Sequence, residues 1–407
     1  MFRTIATTYR DAFSGLSRTV WLLSVASLVN RSGTMVMPFL TLYLVSKRGF
    51  TTTQAGEVLA LYGVAAMVAS YTGGWLCDRV SPVLVMKVSL ALTGLSFLVL
   101  GQLRGRLAIT AMVFVLGLVG EAFRPANLAA LAAATGPLDR ARGFGLLRLA
   151  VNMGMTLGPS VGGFLALYDY GWLFVADGVT CLLATGLLWL VPARAEGEKA
   201  PRDRRRGAGS SPWRDGQFLA MMVLMFVLAT VVFQIVSTFP LTLRDLYGFS
   251  EARIGLTLAI NTLIIVVFEM VLLHKLSGRG DTLEKVGLGS FFVCAGLALL
   301  PLGSSFAFAA FTVAVWTVGE MLSFPIASAV VADRAKEDSL GRYMGVFNLT
   351  FATSYVAAPL IGTWVYQSWG PKALWYGCGG VGAVLWAAFH LLAVARRRAA
   401  LAPAVQE

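Results

Sequence analysis

Apolar residues in this chain gather into twelve long blocks, separated by short stretches rich in Gly, Pro and charge. A helix needs about 20 residues to cross a hydrocarbon core near 30 Å thick, and each block is close to that length. In the first half the blocks predict spanning helices over 20–45, 54–77, 84–101, 108–134, 143–166 and 173–191. In the second half they predict 217–243, 252–276, 285–302, 306–331, 343–366 and 372–394. None shows the period-two alternation of outer-membrane strands, so the pattern specifies an all-α polytopic membrane protein with twelve transmembrane helices.

Composition agrees with the pattern. Hydrophobic residues fill 57% of the 407 positions and charged ones 13%, with a mean hydropathy of +0.73; a soluble domain carries about 25% charged residues. The formal net charge of +12 raises the question of nucleic acid, but the placement of the cations answers it. With the N-terminus cytoplasmic, and cations near span ends counted with the adjacent side, 23 Lys and Arg fall on the cytoplasmic side and 7 outside, leaving Arg31, Arg124 and Arg148 within spans. This is the positive-inside bias of an inner (cytoplasmic) membrane protein with both termini cytoplasmic, and no nucleic-acid partner is expected. The basic runs Arg204–Arg206, in a 193–216 linker, and Arg396–Arg398 are read as contacts with anionic headgroups of membrane lipids.

The first 19 residues are polar, hold Arg3, Arg10 and Arg18, and show no small-residue cleavage site, so the first span is expected to stay in place. Cys77, Cys181, Cys294 and Cys378 lie in or at the ends of spans without metal-ligand spacing and are read as buried, unpaired thiols.

A longer pattern overlies the blocks. The stretch "VGEAFRPANLAALAAATGPLDRARGFGLLRLAVNMGMTLGPSVGG" has a partner 200 residues on, "VGEMLSFPIASAVVADRAKEDSLGRYMGVFNLTFATSYVAAPLIG". Pro125 aligns with Pro325, Arg142 with Arg342, Gly145 with Gly345, Pro159 with Pro359 and Gly162 with Gly362. At an offset of 199, Glu121 aligns with Glu320, Gly49 with Gly248 and Gly56 with Gly255. Shared hydrophobicity alone does not place Gly, Pro and an intramembrane Glu in register. The chain is read as duplicated bundles of six helices, 1–192 and 217–407, related by an axis along the membrane normal, an architecture whose central cavity opens to either side.

Two stretches resemble the major facilitator superfamily, and a third departs from it. After the second span, "GGWLCDRVSP" resembles the family's loop signature, with Gly74, Asp78 and Arg79 in the matching places; Ser81, Pro82 and Val83 depart from it. In the fifth span, Gly154, Gly158, Pro159, Gly162 and Gly163 match the "GxxxGPxxGG" motif of proton-coupled exporters. There, Gly154, Gly158 and Gly162 form a stripe along which another helix can approach closely, and Pro159 removes one backbone hydrogen bond; the expected neighbour is the eighth span. In the fourth span, where such exporters often carry an Arg, the matching position is apolar, around Val113. The resemblance implies a secondary transporter.

Charged groups cost about 2.5–3.5 kcal/mol at the bilayer centre and are retained where they meet water or one another. The candidates are Asn30 and Arg31 in the first span, Glu121 and Arg124 in the fourth, Arg148 and Asn152 in the fifth, Glu269 in the eighth and Glu320 in the tenth. Glu121 and Arg124 are three residues apart and predicted to share a face. With Arg31 they read either as an ion cluster locking helices together or as a proton or anion site. A carboxylate beside Arg holds its negative charge, whereas one without a basic neighbour holds a proton more readily. By that argument Glu320 is the better proton carrier and Glu269 the second. Asp177 and the Arg244, Asp245 pair read as interface residues, and Tyr62, Gln234, Asn261, Asn348 and Tyr355 as cavity-lining candidates.

The leading functional reading is a secondary active transporter working by alternating access, exporting amphipathic or drug-like small molecules against protons. The alternatives within transport are proton-coupled uptake of an anionic solute or peptide, and translocation of a lipid. A membrane enzyme is disfavoured by only two His, no HExxH and no phosphate loop with Lys; a non-transporting scaffold would not need the intramembrane charges. The expected partners are a small-molecule substrate, protons and lipids, with the chain functional as a monomer, no cofactor or metal, and a proton gradient as energy source.

Overall fold

A computed structural model describes residues 14–136, 139–191, 211–276, 280–335 and 339–401. The basic run at 204–206 and most of the 193–216 linker lie outside the described residues. Every regular element among the described residues is helical. In the first half these are α1 (Arg18–Ser32), α2 (Val36–Arg48), α3 (Thr52–Arg79), α4 (Pro82–Gln102), α5 (Arg106–Gly120), α6 (Phe123–Ala134), α7 (Arg140–Tyr168) and α8 (Gly171–Trp189). In the second half they are α9 (Gly216–Val232), α10 (Gln234–Asp245), α11 (Glu251–Leu276), α12 (Thr282–Ala298), α13 (Phe306–Arg334) and α14 (Leu340–Leu401).

Ten helices among the described residues are long and apolar enough to cross a membrane. The first expected span is not among them, because it breaks at Gly33–Met35 into α1 and α2. Pro38, which has no N–H, cannot bond the Thr34 carbonyl, so the regular hydrogen-bond ladder stops there. The last two expected spans run together as α14, interrupted at Gly370, whose φ of 85° and ψ of 167° suit a residue without Cβ. The span expected at 108–134 is interrupted at Glu121–Ala122, four residues before Pro125. That at 217–243 is interrupted at Phe233. The counterpart of the 108–134 span, α13, instead runs unbroken through Glu320 and Pro325.

The chain divides into two compact units, residues 1–43 with 61–203, and 44–60 with 204–407. In the first, Phe123, Ala126 and Leu131 of α6 are buried among Leu23, Met86, Leu90 and Leu188. In the second, Trp316 and Trp375 are fully buried, each edge-on to Phe239. Segment 44–60 belongs to that unit through Thr53, whose N–H and hydroxyl both donate to Gln367 Oε1 at 2.8 and 2.9 Å. At Gly56 a Cβ would lie 2.6 Å from the Pro359 carbonyl oxygen, so the approach depends on glycine.

Candidate functional site

In each unit one intramembrane carboxylate is held by a neutral donor. The Tyr62 hydroxyl of α3 donates to Glu121 Oε1 at 2.8 Å. The Asn261 amide of α11 donates to Glu320 Oε2 at 2.9 Å and to Thr317 Oγ1 at 3.0 Å, and Thr317 donates onward to the Val313 carbonyl at 2.6 Å. Tyr62 and Asn261 stand 199 residues apart, the same offset as the two glutamates. The duplicated plan therefore includes the donor as well as the acid, although the donor differs in kind.

The cluster of Glu121, Arg124 and Arg31 expected from spacing does not form. Arg124 is exposed, Arg31 is half-buried, and no ion pair among the described residues joins either to Glu121. The interruption at Glu121–Ala122 removes the regular turn on which that expectation stood. Glu121 is met by a phenol instead of a guanidinium.

The broken first span carries a second arrangement. Asp177 of α8 is fully buried, and its carboxylate accepts from Met35 N–H at 3.0 Å and Val36 N–H at 2.9 Å. These amides open α2, so Asp177 caps that helix from another element, a favourable placement for a negative charge. It is not the interface residue that the sequence suggested. Its position near the predicted end of a span pointed outward, but the break in the first span brings backbone donors to it. Beside it, Asn30 donates to Cys181 Sγ at 3.4 Å.

The glycine stripe of α7 packs on this same break. A Cβ on Gly154 would meet Arg31 Cβ at 2.5 Å, one on Gly158 the Thr34 carbonyl oxygen at 2.9 Å, and one on Gly162 Met35 Cβ at 2.9 Å. Gly163 and Pro159 are buried in the same stretch. Residues 158–162 also spell GxSxG, but Ser160 sits mid-helix and its hydroxyl donates to the Thr156 carbonyl at 3.0 Å, unlike a serine on a strand-to-helix elbow. In the second unit the aligned positions are Ser354, Ala358 and Gly362. Ser354 donates to the Phe226 carbonyl at 3.0 Å, and Gln234 fills the space beside Gly362 while donating to the Ala358 carbonyl at 2.8 Å. Gln234 Oε1 also accepts from Thr238 at 2.9 Å, so a neutral amide organises α10 where Asp177 organises α2.

The remaining candidates are dispersed. Glu269 is buried on α11, Arg148 is exposed on α7, and Asn152 is half-buried one turn after it, its carbonyl accepting from Thr156 at 2.9 Å. Arg79 stacks its guanidinium 4.0 Å over Trp75, and Gly74 has open space beside its Cα; the Asp78 side chain lies outside the described residues. Asn348 is exposed, while Tyr355 packs edge-on to Phe233 at 5.1 Å. Arg244 pairs with Asp245 at 3.0 Å, and Asp245 also accepts from the Tyr366 hydroxyl at 2.8 Å. Arg397 of the basic run pairs with Asp281 and Glu284. All four cysteines are buried, and no disulfide joins them among the described residues.

Chemically, a carboxylate whose partner is neutral changes its protonation state without stranding a buried cation. Tyr62 can reverse its role, since a phenol both donates and accepts.

Comparison with known proteins follows the same lines. The model of the Major Facilitator Superfamily matches residues 20–354 and 286–406. The chain is 25% identical over 355 residues to the uncharacterized MFS-type transporter YqjV of Bacillus subtilis, covering 85% of this chain and 84% of the relative. To multidrug resistance protein MdtH of Proteus mirabilis it is 23% identical over 366 residues, covering 88% and 90%. The solved nucleoside transporter NupG matches with a TM-score of 0.78 at 12% identity, covering 92% of this chain and 100% of that one. A mutant of peptide transporter POT in complex with sulfate matches with a TM-score of 0.79 at 15% identity, covering 97% and 96%. At these identities the structural likeness is one of fold.

Proposed function

Since the chain belongs to the Major Facilitator Superfamily, a family of transporters and not of enzymes, we propose that it is a proton-coupled exporter of amphipathic or drug-like small molecules. The protein is a multi-pass membrane protein. In this reading α1 with α2 make one span, α14 makes two, and twelve spans form two six-helix bundles that alternate access in the inner membrane, both termini cytoplasmic. The chain works as a monomer and needs no cofactor, the proton gradient being the energy source.

The observation that carries the proposal is the repeated acid and neutral donor, Glu121 with Tyr62 and Glu320 with Asn261. A fixed cation would hold either acid permanently charged; a neutral donor leaves it free to exchange a proton as its surroundings change. Glu320, mid-helix with Asn261 alone among the described residues bonded to its carboxylate, is the coupling acid. Glu121, at a helix interruption, orients substrate. Export is favoured by the name of the MdtH relatives, whose multidrug resistance is a property of those proteins. The nucleoside and peptide transporters among the structural neighbours support the fold and leave uptake as the second reading.

The test is transport in proteoliposomes with an imposed pH gradient and a panel that includes ethidium, a dansylated fatty acid and a dipeptide. Gradient-driven movement of ethidium or the fatty acid in the direction opposite to protons supports export. Movement of only the dipeptide, together with protons, replaces it with uptake.

A further inference from the structure

Between α1 and α7, wholly within the first unit, lies an apolar groove of about 570 Å3. That volume is in the range of small-molecule sites, roughly 300–1,000 Å3. Its walls include Trp21, Val25 and Leu28 on α1 and Leu146, Leu149 and Met153 on α7. It is closed at one end where Gly154 meets Arg31 and Leu28. At the other end each wall begins one helical turn after an arginine: Arg18 precedes Trp21, and Arg142 precedes Leu146. Arg142 is also tied to this mouth by donating to the Ser14 carbonyl, and Ser14 lines the groove.

Two serines interrupt the apolar wall, Ser14 at the mouth and Ser24 part-way along it. Ser24 lines the groove with 1% of its surface exposed, and its hydroxyl has no hydrogen-bond partner among the described residues. Serines in helices ordinarily bond the carbonyl four residues back, as Ser27 does to Leu23 at 2.7 Å. A buried hydroxyl left without a partner is a stored cost that a bound ligand's acceptor or donor removes.

We propose that this groove binds single-chain anionic amphiphiles. The tail lies along the ten residue steps from Arg18 to Leu28, about 15 Å at 1.5 Å per step. The anionic head sits at the mouth against Arg18 and Arg142, and a polar atom part-way along the tail engages Ser24. Among the described residues no carboxylate lines the groove; at its mouth Asp139 pairs with one Arg142 nitrogen at 2.9 Å, so the net positive charge there is that of Arg18. That such an amphiphile is cargo rests on the transporter reading; that it binds does not.

The test uses the full chain in phosphatidylcholine nanodiscs, without a gradient, titrated with 11-(dansylamino)undecanoic acid, and empty nanodiscs as background. We expect saturable binding, about tenfold weaker for the methyl ester. Arg18→Gln with Arg142→Gln should bring the acid down to the ester's affinity. Val25→Phe, at an exposed position that reaches into the groove, should weaken both by tenfold or more, and Ser24→Ala should weaken probes with a mid-chain hydroxyl more than plain ones. Equal binding of acid and ester, an unchanged Val25→Phe protein, or no signal above empty nanodiscs would overturn the proposal. So would loss of probe binding in phosphatidylglycerol nanodiscs, which assigns the groove to two-chain lipids. Loss of binding with intact gradient-driven ethidium movement sinks the groove and leaves the transporter; intact binding without any coupled movement does the reverse.

Discussion

The Tyr62 hydroxyl and the Glu121 carboxylate, 59 residues apart in sequence, meet at 2.8 Å and tie α3 to the end of α5. A hydrogen bond to a charged group contributes about 1.5–3 kcal/mol. Tyr62→Phe should therefore leave an inserted protein with a modestly lowered thermal midpoint and at least several-fold weaker substrate affinity. Ligand binding and thermal unfolding in the same detergent check both. Unchanged affinity would detach Glu121 from substrate.

The stripe on α7 predicts the outcome of Gly158→Leu. Its new Cβ faces backbone, the Thr34 and Arg31 carbonyl oxygens at 2.9 and 3.2 Å, which cannot move aside as a flexible side chain would. Overpacking typically costs about 1–3 kcal/mol, here placed on the break of the first span. Transport should be lost while membrane insertion, read by fractionation, is retained. A variant with normal transport removes any functional role from the stripe.

Asp177 predicts a graded series. Its carboxylate accepts from two amides of α2, and removing a cap of this kind costs about 0.5–2 kcal/mol. Asp177→Asn keeps one acceptor oxygen and should lower the thermal midpoint less than Asp177→Ala. Equal effects from the two variants would place the cost in packing instead of capping.

Outside the spans, Asp215 predicts a pH effect. It accepts from Arg334 at 2.5 and 2.6 Å, from the Phe218 N–H at 3.1 Å and from the Tyr343 hydroxyl at 3.2 Å. Arg334 above all holds its carboxyl below the usual carboxylate range, against the opposing effect of burial. The sign follows: the stabilisation is fully present above the unfolded value of about 3.9 and is lost as pH falls through the lower folded value. Asp215→Asn should lower stability at neutral pH and flatten the acid limb of the thermal midpoint against pH. A limb as steep as that of the parent protein would assign acid sensitivity elsewhere.

The apolar blocks and the 199- and 200-residue offsets made the helices, the two glutamates and the glycine stripe legible in sequence. What they hid depended on breaks and on tertiary neighbours. The run 20–45 looks continuous because the three residues at its interruption, Gly33, Thr34 and Met35, include no charge. Without that break, Asp177 has no amides to cap. Likewise the Glu121–Arg124 pairing assumed an unbroken turn, whereas the helix is interrupted at Glu121–Ala122. Tyr62 and Asn261 share the glutamates' offset and were detectable by it, but a phenol and an amide look unalike until both are seen donating to a carboxylate.

The most direct test of the account is proton exchange at Glu320. In proteoliposomes loaded with a panel compound that the parent protein moves against protons, Glu320→Gln should retain compound exchange at equal pH on both sides and lose accumulation driven by a pH gradient. Glu121→Gln should instead raise the concentration needed for half-maximal exchange and keep its dependence on the gradient. Gradient-driven accumulation that survives in Glu320→Gln and disappears in Glu121→Gln would contradict the assignment and move the coupling proton to Glu121.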